Sequence, residues 1–202
     1  MRLDWIESVE ALEALYGEPV EASQIKVSDR LTPLYRTWIM ASRFCVLTTV
    51  GPEGTDGSPR GDDGSVVLEI DERTLAMPDW RGNDRIDSLR NIVRDGRVSL
   101  MFMVAGSNNV IRVNGTARVT ADPGMTARFE RGGKLPRTVI VIAIGEVYFQ
   151  CARALVRSRL WAGDSAALEV PTAGALLTEA KAEFDGLSYD DEWPERAART
   201  LW

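Results

Sequence analysis

The sequence contains no histidine among its 202 residues. This absence excludes Ser-His-Asp and Cys-His nucleophilic catalysis, because both schemes need an imidazole as the general base. The two cysteines, Cys45 and Cys151, lie far apart in apolar runs, so they predict neither a zinc site nor a disulfide framework. Any chemistry must therefore come from carboxylates, Arg, Lys, Tyr, a metal held by oxygen ligands, or a cofactor. We predict no metal site.

A basic surplus is also missing: 24 Lys and Arg face 30 Asp and Glu, which gives a net charge of −6. This balance disfavours a nucleic-acid partner. No apolar run approaches the length of a membrane span, and the first residues lack a signal pattern. With 45% hydrophobic and 27% charged residues, the composition is that of a globular protein. We expect one domain, located in the cytoplasm, without a membrane partner.

Apolar residues recur at helical spacing near both ends of the chain and once in the middle. The predicted helices cover residues 3–16, 32–41, 84–94, a segment starting near 152, and 173–184. Asn83 or Asp84 is the expected N-cap of the middle helix. The last dozen residues are expected to dock through Trp193 and Trp202 or to stay loose.

Six short runs of β-type residues fill the centre of the chain. The predicted strands cover residues 44–50, 65–70, 74–77, 98–104, 110–120 and 138–149, and residues 51–57 are predicted as a turn-rich link. Because these strands follow one another with short links, their order favours a mainly antiparallel closed sheet over βαβ units. Residues of about 1–42 then form a helical extension of the single domain, and about 162–202 form a helical tail.

Residues 58–64, Ser-Pro-Arg-Gly-Asp-Asp-Gly, are the first of three segments suited to binding an anion. Pro and Gly fix the backbone there, while Arg60 supplies a planar cation with forked donors. Taken alone, the segment is equally compatible with a surface turn.

The second segment, residues 78–91, joins the end of a strand to the start of a helix. Free N–H groups and the helix dipole favour an anion at such a start. Arg85 in the first turn opposes the dipole unless an anion is bound, and Asn83 and Ser88 can donate to phosphate oxygens. Without an anion, the pattern describes a capped helix with a solvated charged face.

The third segment, residues 148–161, runs from a strand into a helix on which Arg153, Arg157 and Trp161 share a face. Like charges at this spacing repel, so the arrangement indicates an anionic partner. An aromatic ring beside guanidinium groups also suits a planar, electron-poor ring system. The alternative is a basic solvated face with Trp161 in the core.

Together and in this order, the three segments resemble those of the pyridoxamine 5′-phosphate oxidase-like FMN-binding proteins. The resemblance is strongest to a branch marked by the motifs SPRGD, PGNxRxDSxxN and RSRLW. These motifs correspond here to residues 58–62, 81–91 and 157–161, and residues 112–117 also match a strand of the branch. The similarity covers roughly residues 25–165, which is most of the chain.

The resemblance implies a six-stranded antiparallel split β-barrel that forms a homodimer with FMN at the subunit interface. In the family, the segment around Asn83 and Arg85 holds the FMN phosphate, and the SPRGD segment follows the ribityl chain and ring edge. The C-terminal Arg-Trp segment approaches the flavin, often from the partner subunit. The cofactor contacts implied for this chain are Ser58, Pro59, Arg60, Gly61, Asp62, Pro78, Asn83, Arg85, Ser88, Arg157 and Trp161.

The sequence departs from the branch at two places: Asp63-Gly64 follows SPRGD, and Gln150 replaces a histidine. The expected function is an FMN-dependent oxidoreductase that transfers a hydride at flavin N5, acting on a small molecule that the sequence does not identify. Catalytic residues are not assigned, and Asp62 is a hypothetical proton source. The alternatives are a flavin carrier without a substrate, or the same barrel with a deazaflavin. Haem is disfavoured because no histidine can ligate iron.

Overall fold

Seven strands form one antiparallel sheet in this computed structural model, which describes residues 1–163 and 170–201. The strands are β1 (Phe44–Gly51), β2 (Gly54–Gly61), β3 (Leu68–Asp71), β4 (Thr74–Asp79), β5 (Arg97–Met103), β6 (Val110–Thr120) and β7 (Thr138–Gln150). Their order across the sheet is β2-β1-β5-β6-β7-β4-β3. The mainly antiparallel architecture is the predicted one, but β2 and β3 remain as edges, so hydrogen bonding does not close the sheet.

The structure has one strand more than the six predicted. The additional strand is β2, which begins within residues 51–57, predicted as a turn-rich link, and continues into the SPRGD motif. It pairs with β1 as a hairpin, with Gly51 opposite Gly54 and Phe44 opposite Gly61. The sequence of β2 has no apolar alternation, so its pairing rests on the backbone and on the regular partner strand. As an edge strand it tolerates Pro59, which cannot donate a ladder hydrogen bond.

The hydrophobic core lies on one face of the sheet, and buried residues alternate with more exposed ones in β1, β5 and much of β7. Its fully buried side chains include Leu47 of β1, Leu75 and Met77 of β4, Leu100 and Phe102 of β5, Val113 of β6, and Ile140 and Ile142 of β7. Val66 and Val67, predicted as part of a strand, lie in this core although the strand begins only at Leu68. The period-2 burial is what made the apolar strands recognisable in the sequence.

Helices flank the sheet at its ends and in the long connections. They are α1 (Val9–Glu13), α2 (Glu21–Gln24), α3 (Pro33–Met40), α4 (Asp87–Arg94), α5 (Pro123–Thr126), the 3₁₀ turn Ala127–Phe129, α6 (Arg153–Ser158), α7 (Ala173–Ala180), α8 (Gly186–Asp191) and α9 (Trp193–Thr200). Within the described residues, none of these helices has the length and apolar character needed to cross a membrane.

Helix α4 is fixed against the β1–β2 hairpin, and this contact positions its first turn. The buried Asn91 side-chain amide donates to Thr49 Oγ1 at 3.1 Å. Gly51 is required beneath it, because a Cβ at this position would overlap the Asn91 side chain. The start of α4 is therefore held beside the outer edge of β2.

The predicted helix over residues 3–16 is reduced to α1, a single short turn. The apolar residues of this segment are exposed, so packing against the described part of the chain does not stabilise a longer helix. The predicted docking of the tail is also not found at Trp193, whose side chain is 55% exposed. Trp202 lies outside the described residues.

Candidate functional site

A cleft of about 870 Å³ opens between the edge strand β2 and the end of β4. Residues 80–86 and the first turn of α4 form its outer wall. Arg60 of β2 reaches across the opening, and its Nη1 lies 2.6 Å from Asp79 Oδ1 at the end of β4. This ion pair on the cleft floor thus links the edge strand β2 to the end of β4, which pairs with β7.

The structure brings most of the predicted site residues into this one cleft. Its lining includes Ser58, Pro59, Arg60, Gly61, Pro78, Asn83, Arg85 and Ser88. Asp62, Arg157 and Trp161 do not line it. Two segments predicted separately, the SPRGD strand and the strand-to-helix connection, therefore form opposite walls of the same cleft.

Alternate residues of β2 present a polar row to the cleft. Asp56, Ser58 and Arg60 are half-buried and line it, which places a carboxylate, a hydroxyl and a guanidinium along one wall. The Ser88 hydroxyl, predicted to donate to a phosphate, donates instead to Asp56 Oδ2 at 2.5 Å. Ser88 is only 4% exposed, and this hydrogen bond fixes the first turn of α4 to β2.

Two buried polar atoms near the cleft floor have no hydrogen-bond partner among the described residues. They are Nε of Arg60 and Oγ1 of Thr138, and both residues line the cleft. Thr138 is the direct partner of Asp79 in the β4–β7 register. Because buried polar groups are nearly always paired in native proteins, these two atoms leave hydrogen-bonding capacity unused beside the ion pair of Arg60 and Asp79.

The outer loop holds an unusual backbone conformation. Asp84 and Ile86 have φ values of 59° and 53°, in the left-handed region, which aspartate tolerates but a β-branched residue such as Ile86 rarely adopts. Ile86 is also the N-cap residue of α4, and no side chain caps this helix start. The prediction of Asn83 or Asp84 as N-cap is therefore wrong: the Asn83 side-chain oxygen accepts from the Arg85 N–H at 3.1 Å. The free N–H groups of the helix start remain available to a ligand.

Four arginines and four aspartates line the cleft, so its formal charges cancel. Three of the arginines are paired: Arg60 with Asp79, Arg85 with Asp87 at 2.8 Å, and Arg137 with Asp84 at 2.9 Å. Arg81 makes no ion pair with any described residue. The Arg85 side chain is 76% exposed, so its pairing with Asp87 is weak and can be exchanged for an anionic ligand.

Asp62 has a structural environment, although the sequence suggested a cofactor contact. Its carboxylate accepts hydrogen bonds from Trp80 Nε1 at 3.0 Å and from the Arg131 guanidinium. The side chain is only 4% exposed. These contacts join the end of β2 to the loop before β7, and they occupy both carboxylate oxygens. The structure therefore gives no support to Asp62 as a proton source in this cleft.

The C-terminal Arg-Trp segment lies away from the cleft of its own chain. Helix α6 ends at Ser158, so Trp161 does not share a helical face with Arg157. The Trp161 indole donates to the Ser107 carbonyl at 2.7 Å, while Arg157 is exposed. Both residues therefore lie outside the cleft of their own chain.

The described residues offer neither a reactive thiol nor a metal site at the cleft. Cys45 lies opposite Arg60 in the hairpin and is fully buried. Burial raises the pKa of its thiol to about 12, although the charge of Arg60 opposes this shift. No group of three or more metal-binding side chains occurs in the described part of the chain. The ionisable and polar side chains that line the cleft are instead arginines, aspartates and hydroxyl-bearing residues.

Sequence reasoning missed several residues that line the cleft. They are Asp56, Asp79, Arg137, Thr138 and Leu201. Asp79 lies within the second segment, residues 78–91, but was given no contact there. Thr138 has no signal of its own, because only the register with β4 brings it beside Asp79.

A comparison with known families identifies the family of this fold. The sequence profile described as Pyridoxamine 5′-phosphate oxidase matches residues 31–151, which include all seven strands and α4. The chain belongs to the pyridoxamine 5′-phosphate oxidase family. The matched range includes every residue that lines the cleft except Leu201. A comparison with curated proteins gives no match.

Solved structures give weaker likenesses to this member of the pyridoxamine 5′-phosphate oxidase family. HupZ of Group A Streptococcus is 16% identical with a TM-score of 0.48, covering 58% of this chain and 91% of its own. General Stress Protein 26 of Bacillus anthracis is 18% identical at 0.43, covering 56% and 88%. An F420 reductase is 15% identical at 0.42, covering 59% and 98%. With TM-scores below 0.5, these likenesses carry no argument, and membership rests on the profile.

Proposed function

We propose that this chain binds FMN in the cleft between β2 and β4 and acts as an FMN-dependent oxidoreductase on a small molecule. The observation that carries the proposal is the pair of unpartnered polar atoms, Arg60 Nε and Thr138 Oγ1, on residues lining a cleft large enough for a flavin. Family membership supports it, because the family binds flavin.

The residues present fit the chemical groups of FMN. A phosphate suits the outer end of the cleft, where Arg81 is unpaired among the described residues, Arg85 is exposed, and the start of α4 has no side-chain cap. Asp56 and Ser58 suit a chain of hydroxyl groups, which can donate to the carboxylate. Asp56 lies beside the first turn of α4, where it accepts from Ser88, so its charge reduces the attraction that the arginines provide for a phosphate there. The polar row of β2 runs from Asp56 beside α4 to Arg60 beside Asp79, so Ser58 lies between the two ends of the cleft.

FMN, when bound, supplies hydride transfer at its N5 atom. The chain's own contribution is binding, orientation and charge. Arg60 would stabilise negative charge that develops on the ring, and Asp79 offsets part of this effect because the two are ion-paired at 2.6 Å. Without histidine, and with the Cys45 thiol held neutral by its raised pKa, protons come from water in this proposal.

The proposal includes a homodimer in which the partner subunit supplies Arg157 and Trp161 to the cleft. Arg157 is exposed, and the neighbouring Val156 and Leu160 are 55% and 51% exposed, so this apolar and basic surface is available to another subunit. Sedimentation of the FMN-loaded protein tests the dimer: a monomer would remove Arg157 and Trp161 from the proposed site.

The experiment is an absorption spectrum of the purified protein, followed by FMN titration of the wild type and of Arg85→Ala. We expect flavin absorption bands, and an affinity roughly tenfold or more weaker in the variant, because a charge-assisted hydrogen bond to the phosphate is lost. Arg97→Ala is the matched control, since Arg97 is exposed and pairs with Asp95 outside the cleft. Equal affinities in both variants would refute the phosphate site at Arg85.

The same preparation separates the alternatives. A protein that binds FMN but shows no donor-specific turnover would be a flavin carrier. A protein that does not bind FMN but binds the deazaflavin F420 would use the same cleft for a deazaflavin cofactor. A colourless protein indifferent to both would refute the flavoprotein proposal.

A further inference from the structure

Three neighbouring residues that line the cleft, Arg60, Asp79 and Thr138, have polar side chains that can recognise a ligand through hydrogen bonds. Arg60 donates from Nη1 to Asp79 Oδ1, while its Nε has no partner. Thr138 faces Asp79 across the β4–β7 ladder, where directly paired residues have Cβ atoms roughly 4.5–5.5 Å apart. Among the described residues no donor reaches Asp79 Oδ2. The Asp79 carboxylate therefore has an oxygen without a donor, and Thr138, its neighbour across the ladder, has a hydroxyl without a partner in the described part of the chain.

The three side chains have unused hydrogen-bonding capacity: Arg60 can donate, Asp79 can accept, and Thr138 can donate. The guanidinium of Arg60 can only donate, and the ionised Asp79 can only accept. The Thr138 hydroxyl can do both, and rotation about χ1 between its staggered positions turns it toward the cleft that the residue lines. A complementary ligand presents acceptor, donor, acceptor along one edge.

A cyclic imide, –CO–NH–CO–, is the group with this pattern. It forms one edge of the flavin ring, with the N3–H between the O2 and O4 carbonyls, and the deazaflavins carry the same edge. A phosphate does not suit the position, because Asp79 is only 20% exposed and its charge would repel an anion.

Resting on the proposed function, we propose that Arg60, Asp79 and Thr138 form an imide-recognition site that binds the pyrimidine edge of the flavin ring. Asp79 accepts the N3–H, and Arg60 and Thr138 donate to the two carbonyl oxygens. Asp79 then determines which rings bind, since only a ring nitrogen that carries a hydrogen can donate to its carboxylate. The phosphate is directed to Arg81 and Arg85 at the other end of the cleft.

The experiment titrates the wild-type protein with FMN and with 3-methyl-FMN, following the quenching of flavin fluorescence. The methyl group removes the N3 donor and leaves the phosphate unchanged, so no protein variant is needed. We expect 3-methyl-FMN to bind at least about tenfold more weakly, as is typical of losing a hydrogen bond to a charged group. Equal affinities would overturn the imide site while leaving FMN binding intact.

Two variants show whether the discrimination comes from Asp79. In Asp79→Ala the affinities for FMN and 3-methyl-FMN should become equal within about twofold. In the control Asp84→Ala, which removes another cleft aspartate paired with an arginine, the preference for FMN should persist. Persistence of the preference in Asp79→Ala would overturn the role of Asp79.

Failure of the proposed function gives a different pattern. If neither FMN nor F420 binds the wild type, the flavoprotein proposal fails and the imide site fails with it. If only F420 binds, Asp79→Ala must weaken its binding at least about tenfold while Asp84→Ala does not. Equal F420 affinities in the two variants would overturn the imide site alone.

Discussion

Replacing Thr138 by valine should stabilise the protein without its ligand and weaken its binding of FMN. Valine has the same shape with a methyl group in place of the hydroxyl, and Thr138 Oγ1 is buried without a partner. An unsatisfied buried polar group costs roughly 1–3 kcal/mol, and the added methyl group is itself favourable when buried. We therefore expect the free energy of unfolding of the ligand-free protein to rise by about 1 kcal/mol, and Tm by about 2–4 °C for a chain of this size.

The matched control is Thr49→Val, for which we expect the free energy of unfolding to change in the opposite direction. Thr49 is also buried, but its Oγ1 accepts a hydrogen bond from the buried Asn91 amide. Thr49→Val leaves this donor unpaired, which should lower the free energy of unfolding by about 1–3 kcal/mol. Both variants are unfolded in urea without ligand, and FMN affinity is measured separately. A loss of stability in Thr138→Val would refute the reasoning, because it would mean that the hydroxyl already has a partner without FMN.

Two further predictions concern the scaffold around the site. Gly115→Ala should lower the free energy of unfolding by at least about 2 kcal/mol, because the new Cβ would overlap a backbone carbonyl of β7 at the bulge. The control is Gly17→Ala, where no described atom lies near the added Cβ. Equal Tm values for the two variants would contradict the prediction. Hydrogen bonds from Arg97 hold the pKa of Asp95 at about 2, below its ordinary 3.8, so the stability that this pair adds is present above pH 3.8 and is lost as the pH falls through about 2. In Arg97→Ala the pKa of Asp95, measured by NMR, should return toward 3.8, and an unchanged value would show that the pair is not formed in solution.

The apolar strands could be predicted from the sequence because their side chains carry the information. Buried residues alternate in β1, β5 and β7, and only the core side of the sheet accepts them. Helix α4 was predicted for a related reason, since Leu89 and Ile92 face the sheet. The resemblance then brought the motifs of residues 58–62 and 81–91 together as one site, and the structure places both in one cleft.

What could not be predicted depends on partners far apart in the chain. Strand β2 has Gly, Asp, Ser and Pro where apolar residues usually alternate, so only β1 explains its strand conformation. Thr138 reaches the cleft because β7 pairs with β4 in one register. The apolar spacing of residues 3–16 predicted a long helix, but an amphipathic pattern needs a surface to cover. Ser88 was assigned to a phosphate by its motif, and Asp56, 32 residues earlier, is its actual partner.

The central claim, that the cleft between β2 and β4 holds a flavin, is tested most directly by a crystal structure of the protein grown with FMN. The account predicts flavin density in this cleft, with the phosphate near Arg81 and Arg85 and the pyrimidine edge on Arg60, Asp79 and Thr138. Density for FMN elsewhere on the protein, or an empty cleft at saturating FMN, would contradict it.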